Sequence, residues 1–439
     1  MKITRRFSRR TLLRLTAASG VAAAARGKTT RGADKKPTGR PGSPASRAIR
    51  LIADKIVEWQ TPSGDLDSRR CPFGGGGHLS YPFLGAGMYR AYKATGVEAY
   101  KAAAAGCATF YLSIMSPVWH TAHFGLALRA LQVLKLCRPG WTQWNAKATA
   151  LVDWMLPWRW DEPTYFRMGY GAGGMADAAN CTDNAHAGAG LMAYYQMSEN
   201  PKSLKSRVPD VPAGINITRV NAEAIKATRV LALEMAEGLA RCYLTEMKPG
   251  TYQGWWSSKL GTWAIAPNSA IRFEHFRDSN KEKPNTVKCC ETGWGYASIE
   301  SIDYLTQLSA ATSKEDLKAA IPGKCATSMK WQFDGCQFDD GACGIIGRDD
   351  KWLGMTAGAV LSYVRTKAAG FLSDRDVAQY RPKAQAALDW MLRRVTPETL
   401  DSRDSGYVKV TGRSTPNPRD FFGWHLGWTL EALVRADEI

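Results

Sequence analysis

Two styles of helix alternate along almost the whole chain, and this alternation is the strongest constraint on its fold. One style is amphipathic and rich in Ala and Lys, at 46–60, 98–116, 142–156, 221–245, 314–333 and 380–395. The other is rich in small residues and more apolar, at 82–95, 121–136, 184–198, 293–310, 352–368 and 421–436. In 352–368, Leu353, Ala357, Val360, Leu361 and Val364 follow one helical face. Gly354, Met355, Gly358 and Ala359 make the other faces apolar or small as well. A helix that is apolar nearly all round has to be covered on more than one side. The alternation therefore predicts twelve helices, paired as six hairpins that share their apolar surfaces. Asp153-Trp154-Met155-Leu156 and Asp389-Trp390-Met391-Leu392 occupy the same phase of two first-style helices, the mark of an internal repeat.

The connections are unequal. From a first-style to a second-style helix they run over 61–81, 157–183, 246–292, 334–351 and 396–420, with a short exception near 116–120. The reverse connections are often as short as Gly96 or Pro139-Gly140. Long loops are uncommon in compact domains and tend to carry function. Here they gather at one end, where the buried helices begin.

This pattern over 46–436 resembles the (α/α)6 toroid, an inner ring of six helices wrapped by an outer ring. The resemblance implies an all-α domain with a cleft at the N-terminal ends of the inner helices. Two groups share the shape. Six-hairpin glycosidases and polysaccharide lyases are resembled at Arg90-Ala91-Tyr92-Lys93-Ala94-Thr95-Gly96, which looks like the close of their first inner helix. Prenyltransferase and terpene-cyclase repeats are resembled at Phe73-Gly74-Gly75-Gly76-Gly77 and at Asp339-Asp340-Gly341. The second group's chemistry fits less well. Asp340, Cys343 and His425 lie at places loosely similar to that group's zinc ligands, but the spacing of Asp340 and Cys343 departs from its Asp-x-Cys pattern. The cyclase acid motif is also incomplete, since Asp65-Leu66-Asp67 lacks its last Asp. No metal or cofactor is expected, and no dinucleotide or phosphate-loop fingerprint occurs.

The chain starts with Ser8-Arg9-Arg10-Thr11-Leu12-Leu13-Arg14, a short apolar stretch and Ala22-Ala23-Ala24-Ala25. This resembles a twin-arginine export signal, and the resemblance implies a periplasmic or extracellular protein. Residues 1–25 are read as the signal, 26–45 as a basic linker and 46–439 as the toroid. Net charge is +18, but residues 1–25 carry +6 and 26–50 carry +7, leaving +5 for the remainder. The basic excess is therefore no evidence for a nucleic-acid partner. An oligo- or polysaccharide is the expected partner, with no membrane insertion of the mature chain. Ten cysteines in an exported chain permit disulfides. Cys336 and Cys343, across a Gly-rich loop, are the expected pair, while Cys107 and Cys137 read as buried thiols.

Candidate chemistry centres on Asn180-Cys181-Thr182-Asp183-Asn184-Ala185-His186, where an inner helix begins. A carboxylate can act there as general acid or base, and Asn with His can polarise or deprotonate a sugar. Hydrolysis of a glycosidic bond needs two carboxyl groups, for which Asp183 is paired with Asp340. Glu291 is a third carboxylate, and Tyr170 is a candidate proton donor or base. Asn184, Trp255, Trp256, Trp352 and His425 are the expected substrate contacts, the tryptophans as stacking walls. The expected function is an exported glycoside hydrolase or polysaccharide lyase; the alternative is a cyclase-like repeat protein, catalytic or merely binding.

Overall fold

A computed structural model describes residues 42–71, 78–115, 121–140, 144–156, 159–161, 164–166, 181–199, 222–248, 254–264, 272–275, 285–288, 293–348, 351–401 and 418–439. The twin-arginine segment and most of the basic linker lie outside them.

All twelve expected helices form, eleven within three residues of the expected bounds, while the one expected at 380–395 begins earlier, at Asp374. In chain order they are α1 (Pro44–Trp59), α2 (Tyr81–Thr95), α3 (Glu98–Ile114), α4 (Thr121–Cys137), α5 (Trp144–Met155), α6 (Cys181–Met197), α7 (Ala222–Leu244), α8 (Gly295–Ala311), α9 (Glu315–Gly335), α10 (Leu353–Ala368), α11 (Asp374–Arg394) and α13 (Pro418–Val434). A single turn, α12 (Pro397–Asp401), precedes the last. Local signals explain several ends. Ser43 caps α1 by accepting from the Ser46 N–H at 3.1 Å, with Pro44 at the first helical position. Gly96 closes α2 in the left-handed conformation, φ 74°. Ser373 and Asp376 form a reciprocal capping box on α11.

The two styles separate into two layers. In α10 every residue from Leu353 to Thr366 is buried, whereas α11 buries only Tyr380, Ala384, Ala387, Leu388, Trp390 and Met391. The inner helices pack in the order α2, α4, α6, α8, α10, α13, and α13 returns to pack on α2. Each outer helix seats against the inner helices: α1 on α13 and α2, α3 on α2 and α4, α9 on α8 and α10. This is an (α/α)6 toroid. The seam that closes the ring is made of glycines. A Cβ on Gly427 would sit 2.5 Å from the Phe83 carbonyl oxygen, and one on Gly87 2.6 Å from the Gly427 oxygen. Larger residues at either place would push α2 and α13 apart.

Among the described residues strand is confined to three two-stranded antiparallel ribbons: β1–β2 (Arg159–Asp161, Thr164–Phe166), β3–β4 (Trp256–Ser257, Thr262–Trp263) and β5–β6 (Arg272–His275, Asn285–Lys288). All lie in the chain stretches that lead to α6 and α8. Among the described residues no helix is long and apolar enough to cross a membrane.

The expected Cys336–Cys343 disulfide is absent, and both side chains are buried as thiols. The turn is closed by main-chain bonds instead: Phe338 N–H to Ala342 O at 2.8 Å and Gly344 N–H to Cys336 O at 2.9 Å. Burial holds the Cys343 thiol well above its usual pKa, so it stays protonated. Cys107 and Cys137 are buried thiols, as expected.

Candidate active site

A contact between two helices that are not neighbours in a ring has to cross its centre. Four such contacts define the axial site. His186 on α6 and Trp424 on α13 stand on opposite sides of the ring, with ring centroids 5.6 Å apart. Phe83 on α2 meets His186 edge-on at 5.5 Å. Tyr296 on α8 places its hydroxyl 2.8 Å from His425 Nε2 on α13. Arg129 on α4 reaches Glu300 and Asp303 on α8, at 2.9 and 3.1 Å.

These contacts form two tiers. The tier nearer the N-terminal ends of the inner helices is aromatic: Phe83, Tyr296, Trp424 and Trp428 surround the two imidazoles. Trp424 and Trp428 stack nearly parallel, 10° between planes, at 6.4 Å. Trp352, which caps α10, meets His425 edge-on at 5.5 Å. The lower tier is ionic. Arg365 on α10 holds Asp303 at 3.2 Å and Glu431 on α13 at 3.3 Å. Arg129 lies over the Phe83 ring at 4.9 Å and so joins the tiers. His186 joins them as well, its Nδ1 lying 3.2 Å from Glu300 Oε2.

Electrostatics follows from this geometry. Burial raises the Glu300 carboxyl pKa, but Arg129, His186 and Arg365 outweigh it, so the carboxyl sits below its usual value. Glu431 is likewise raised by burial and brought down to about 2 by Arg365 and more distant arginines. Both are carboxylates at neutral pH. Burial holds the Tyr296 phenol well above its usual pKa and lowers His425 to about 3, so this pair stays neutral.

The last value predicts an acid-sensitive fold. An ordinary histidine takes up its proton near 6.5, whereas folded His425 does so near 3. Between those values the unfolded chain holds the proton and the folded chain does not. This contribution to stability is therefore whole above pH 6.5 and is lost progressively as pH falls toward 3. Its slope is roughly 1 kcal/mol per pH unit. Urea unfolding at pH 7.5 and 5 should show a smaller pH dependence for His425→Gln than for the parent; parallel curves would reject this origin.

The sequence-derived candidates divide into three sets. His186, Trp352 and His425 meet around the axis. Asp183 sits in the first turn of α6, half-buried, three residues before His186 and so on the same side of the helix. Asn184 is fully buried on the same helix. Trp255 and Trp256 are buried too, but they fill the outer layer. Trp255 packs edge-on against Tyr243 of α7 at 4.7 Å, and Trp256 lies under Lys324 of α9 at 4.2 Å. They do not join the axial cluster, because the β3–β4 ribbon packs on α7 and α9. Asp340 is also peripheral. Its carboxylate binds Lys351 at 2.6 Å, and its carbonyl accepts from Arg393 of α11 at 3.1 Å. Gly341 next to it, at φ 97°, lies against the Ala386 backbone, which fixes this turn over the outer ring. Asp340 therefore serves the turn and does not face Asp183 across the axis. Glu291 and Tyr170 lie outside the described residues, as do Asp349 and Asp350.

Sequence reading missed Phe83, Arg129, Tyr296, Glu300, Asp303, Arg365, Trp424, Trp428 and Glu431. One signal pointed to the charged ones: Arg129, Glu300, Asp303 and Glu431 interrupt helices that are otherwise apolar or small. A charge there has to meet its opposite inside the ring. Among the described residues no three of His, Cys, Asp and Glu are grouped to hold a metal ion.

No protein-family model and no curated protein matches the chain. Solved structures do. An α-1,6-mannanase of Salegentibacter sp., inactivated at two consecutive aspartates and bound to α-1,6-mannotetrose, aligns with a TM-score of 0.58 at 11% identity, over 90% of this chain and 99% of that one. A sugar epimerase from a ruminal bacterium aligns at 0.56 and 13%, over 89% and 98%. A polysaccharide lyase aligns at 0.53 and 12%, over 90% and 98%. Alignments of this length and low identity establish shared architecture: the chain has the toroidal fold of these sugar-handling proteins over nearly its whole length.

Proposed function

We propose that the protein is an exported carbohydrate-active enzyme whose reacting centre is the axial site around His186. One observation carries this: His186 and the hydrogen-bonded Tyr296–His425 pair, from three inner helices, gather around the Trp424 ring at the centre of the toroid. Aromatic faces suit sugar rings, and imidazole with phenol suits proton transfer. The fold shared with a mannanase, a lyase and an epimerase supports a sugar substrate.

Of hydrolysis and elimination, the described residues favour elimination. The buried axial carboxylates, Glu300, Asp303 and Glu431, are all paired with arginines. Glu300 and Glu431 are held ionised and so lack the proton a general acid must give. Asp340, the second carboxyl of a hydrolytic pair, stands over the outer ring. In the elimination, His186 Nε2 takes the proton from the carbon beside a uronate carboxylate. The electrons form a carbon–carbon double bond, and the neighbouring C–O bond breaks. The departing oxygen takes a proton from Tyr296, which burial keeps protonated. Tyr170, which precedes α6 in sequence, is the other donor candidate. Hydrolysis through Asp183 is the second reading, supported by the likeness to the mannanase.

The test is direct. Purified protein is offered soluble uronate-containing polysaccharides and α-1,6-mannooligosaccharides. Product absorbing in the ultraviolet as an unsaturated uronate supports elimination. New reducing ends without absorbance support hydrolysis, and no reaction with a broad panel of either kind rejects both.

Export by the twin-arginine route belongs to the same proposal. Replacing Arg9 and Arg10 together by Lys should retain the protein in the cytoplasm, read by fractionation. Unchanged export would require another route.

A further inference from the structure

We infer that Glu300 is a positioning residue that fixes the His186 tautomer, so that the proton sits on Nδ1 and the lone pair on Nε2. The argument is one of donors and acceptors. Arg129 Nη1 donates to Glu300 Oε2 at 2.9 Å. Glu300 lies on α8 with its side chain almost fully buried, and a carboxylate in that position only accepts. His186 Nδ1 lies 3.2 Å from the same oxygen. The hydrogen of that bond therefore belongs to His186, and Nδ1–H donates. A neutral imidazole with its proton on Nδ1 has its lone pair on Nε2.

Nε2 is the atom that needs explaining. It is buried and has no hydrogen-bond partner, on a side chain 2% exposed. Leaving a buried acceptor unsatisfied is costly, so it persists where something else uses it. Its surroundings name the use. The ring packs against Phe83, edge-on at 5.5 Å, and against Trp424, tilted at 5.6 Å, and Trp428 Nε1 is a second buried, unpartnered polar atom in the same cluster. A sugar ring held there would offer Nε2 a polarised C–H or a hydroxyl. When Nε2 takes a proton, the imidazolium faces the Glu300 carboxylate, which stabilises it. Arg129 in turn keeps that carboxylate charged, and Asp303 occupies the other arm of the guanidinium. The device thus runs from α4 through α8 to α6, three inner helices that the ring holds in fixed relation.

The inference rests on His186 being the base proposed above, but its test reads the imidazole itself. The full chain is labelled with 15N-histidine, and long-range 1H–15N correlations are recorded at pH 7.5. The chain has six histidines, and the His186 pattern is the one lost in His186→Gln. The expected result is a protonated, pyrrole-type Nδ1 and a bare, pyridine-type Nε2. Glu300→Gln, which can keep an oxygen at the shared point, should retain that pattern. Glu300→Met removes the acceptor, and the proton should move wholly or partly to Nε2. A proton on Nε2 in the parent protein, or both nitrogens protonated, would overturn the inference, as would an unchanged pattern in Glu300→Met. The outcomes separate from the functional reading. If the tautomer is as stated but His186→Gln turns over substrate normally, the base assignment fails and the positioning stands. If His186 is essential yet carries its proton on Nε2, the positioning fails alone.

Discussion

His186→Gln should lower turnover by roughly 10²- to 10⁴-fold, the usual loss when a positioned base is removed, while the helical circular dichroism is unchanged. The substitution nearly conserves size, and Gln can accept a bond but cannot take a proton from carbon. His186 lies one turn inside α6, where Gly125 of α4 presses on its main-chain oxygen: a Cβ on Gly125 would lie 2.2 Å away. The backbone at His186 is therefore held by helix packing, which the side-chain change does not touch. Asp340→Asn, in the turn over the outer ring, should stay within a few-fold of the parent. Asp183→Asn separates the two chemistries: a loss as deep as that of His186→Gln favours hydrolysis, a shallow one elimination. If Asp340→Asn abolishes turnover and His186→Gln does not, the axial site is not the reacting centre.

The fold was legible in the sequence because it is written in periodicity. Inner helices are recognisable by what they exclude: α10 carries no charge between Leu353 and Val364. Loop asymmetry then marks the end of the ring at which the inner helices begin. The site was legible only where a residue sat near such a loop. Asp183 and His186 open α6, Trp352 caps α10, and His425 follows the last long connection. Proximity to a loop also misled. Asp340 lies in the loop before α10, but that loop begins on an outer helix, and its first half stays over α11. Trp255 and Trp256 failed for a related reason. Tryptophan in a loop is compatible with a cleft wall and with a plug of the outer layer, and only the fold of the β3–β4 ribbon decides between them. The ionic tier was illegible as a site because its members lie far apart in sequence. Arg129 and Glu300 are 171 residues apart. Nothing local marks them as partners; ring closure brings them together.

That ionic tier should dominate the stability of the ring. Arg129→Met keeps most of the side chain's length and its contact with Phe83, but removes the charge between Glu300 and Asp303. Breaking a buried ion pair by deleting one partner typically costs about 3–5 kcal/mol, because the remaining charge stays in a poorly solvating interior. Asp303 retains Arg365 at 3.2 Å, so the penalty falls chiefly on Glu300, which keeps the His186 contact and only the more distant field of Arg365. The pH dependence tests the cause. In the parent protein the Glu300 carboxyl is held low by Arg129, and its contribution is present above pH 4.5 and lost in acid. Without Arg129, burial is no longer outweighed in that way, and the carboxyl pKa of the folded variant should rise above its unfolded value. A group raised in this manner is destabilising at high pH and harmless once both states bind the proton. The stability gap between Arg129→Met and the parent should therefore be widest near pH 7.5 and narrow toward pH 4.5, as read by urea unfolding. Arg129→Lys, which keeps a charge but loses the fork that spans two carboxylates, should fall between them. A gap independent of pH would mean that lost packing, and not an orphaned charge, is what destabilises the ring.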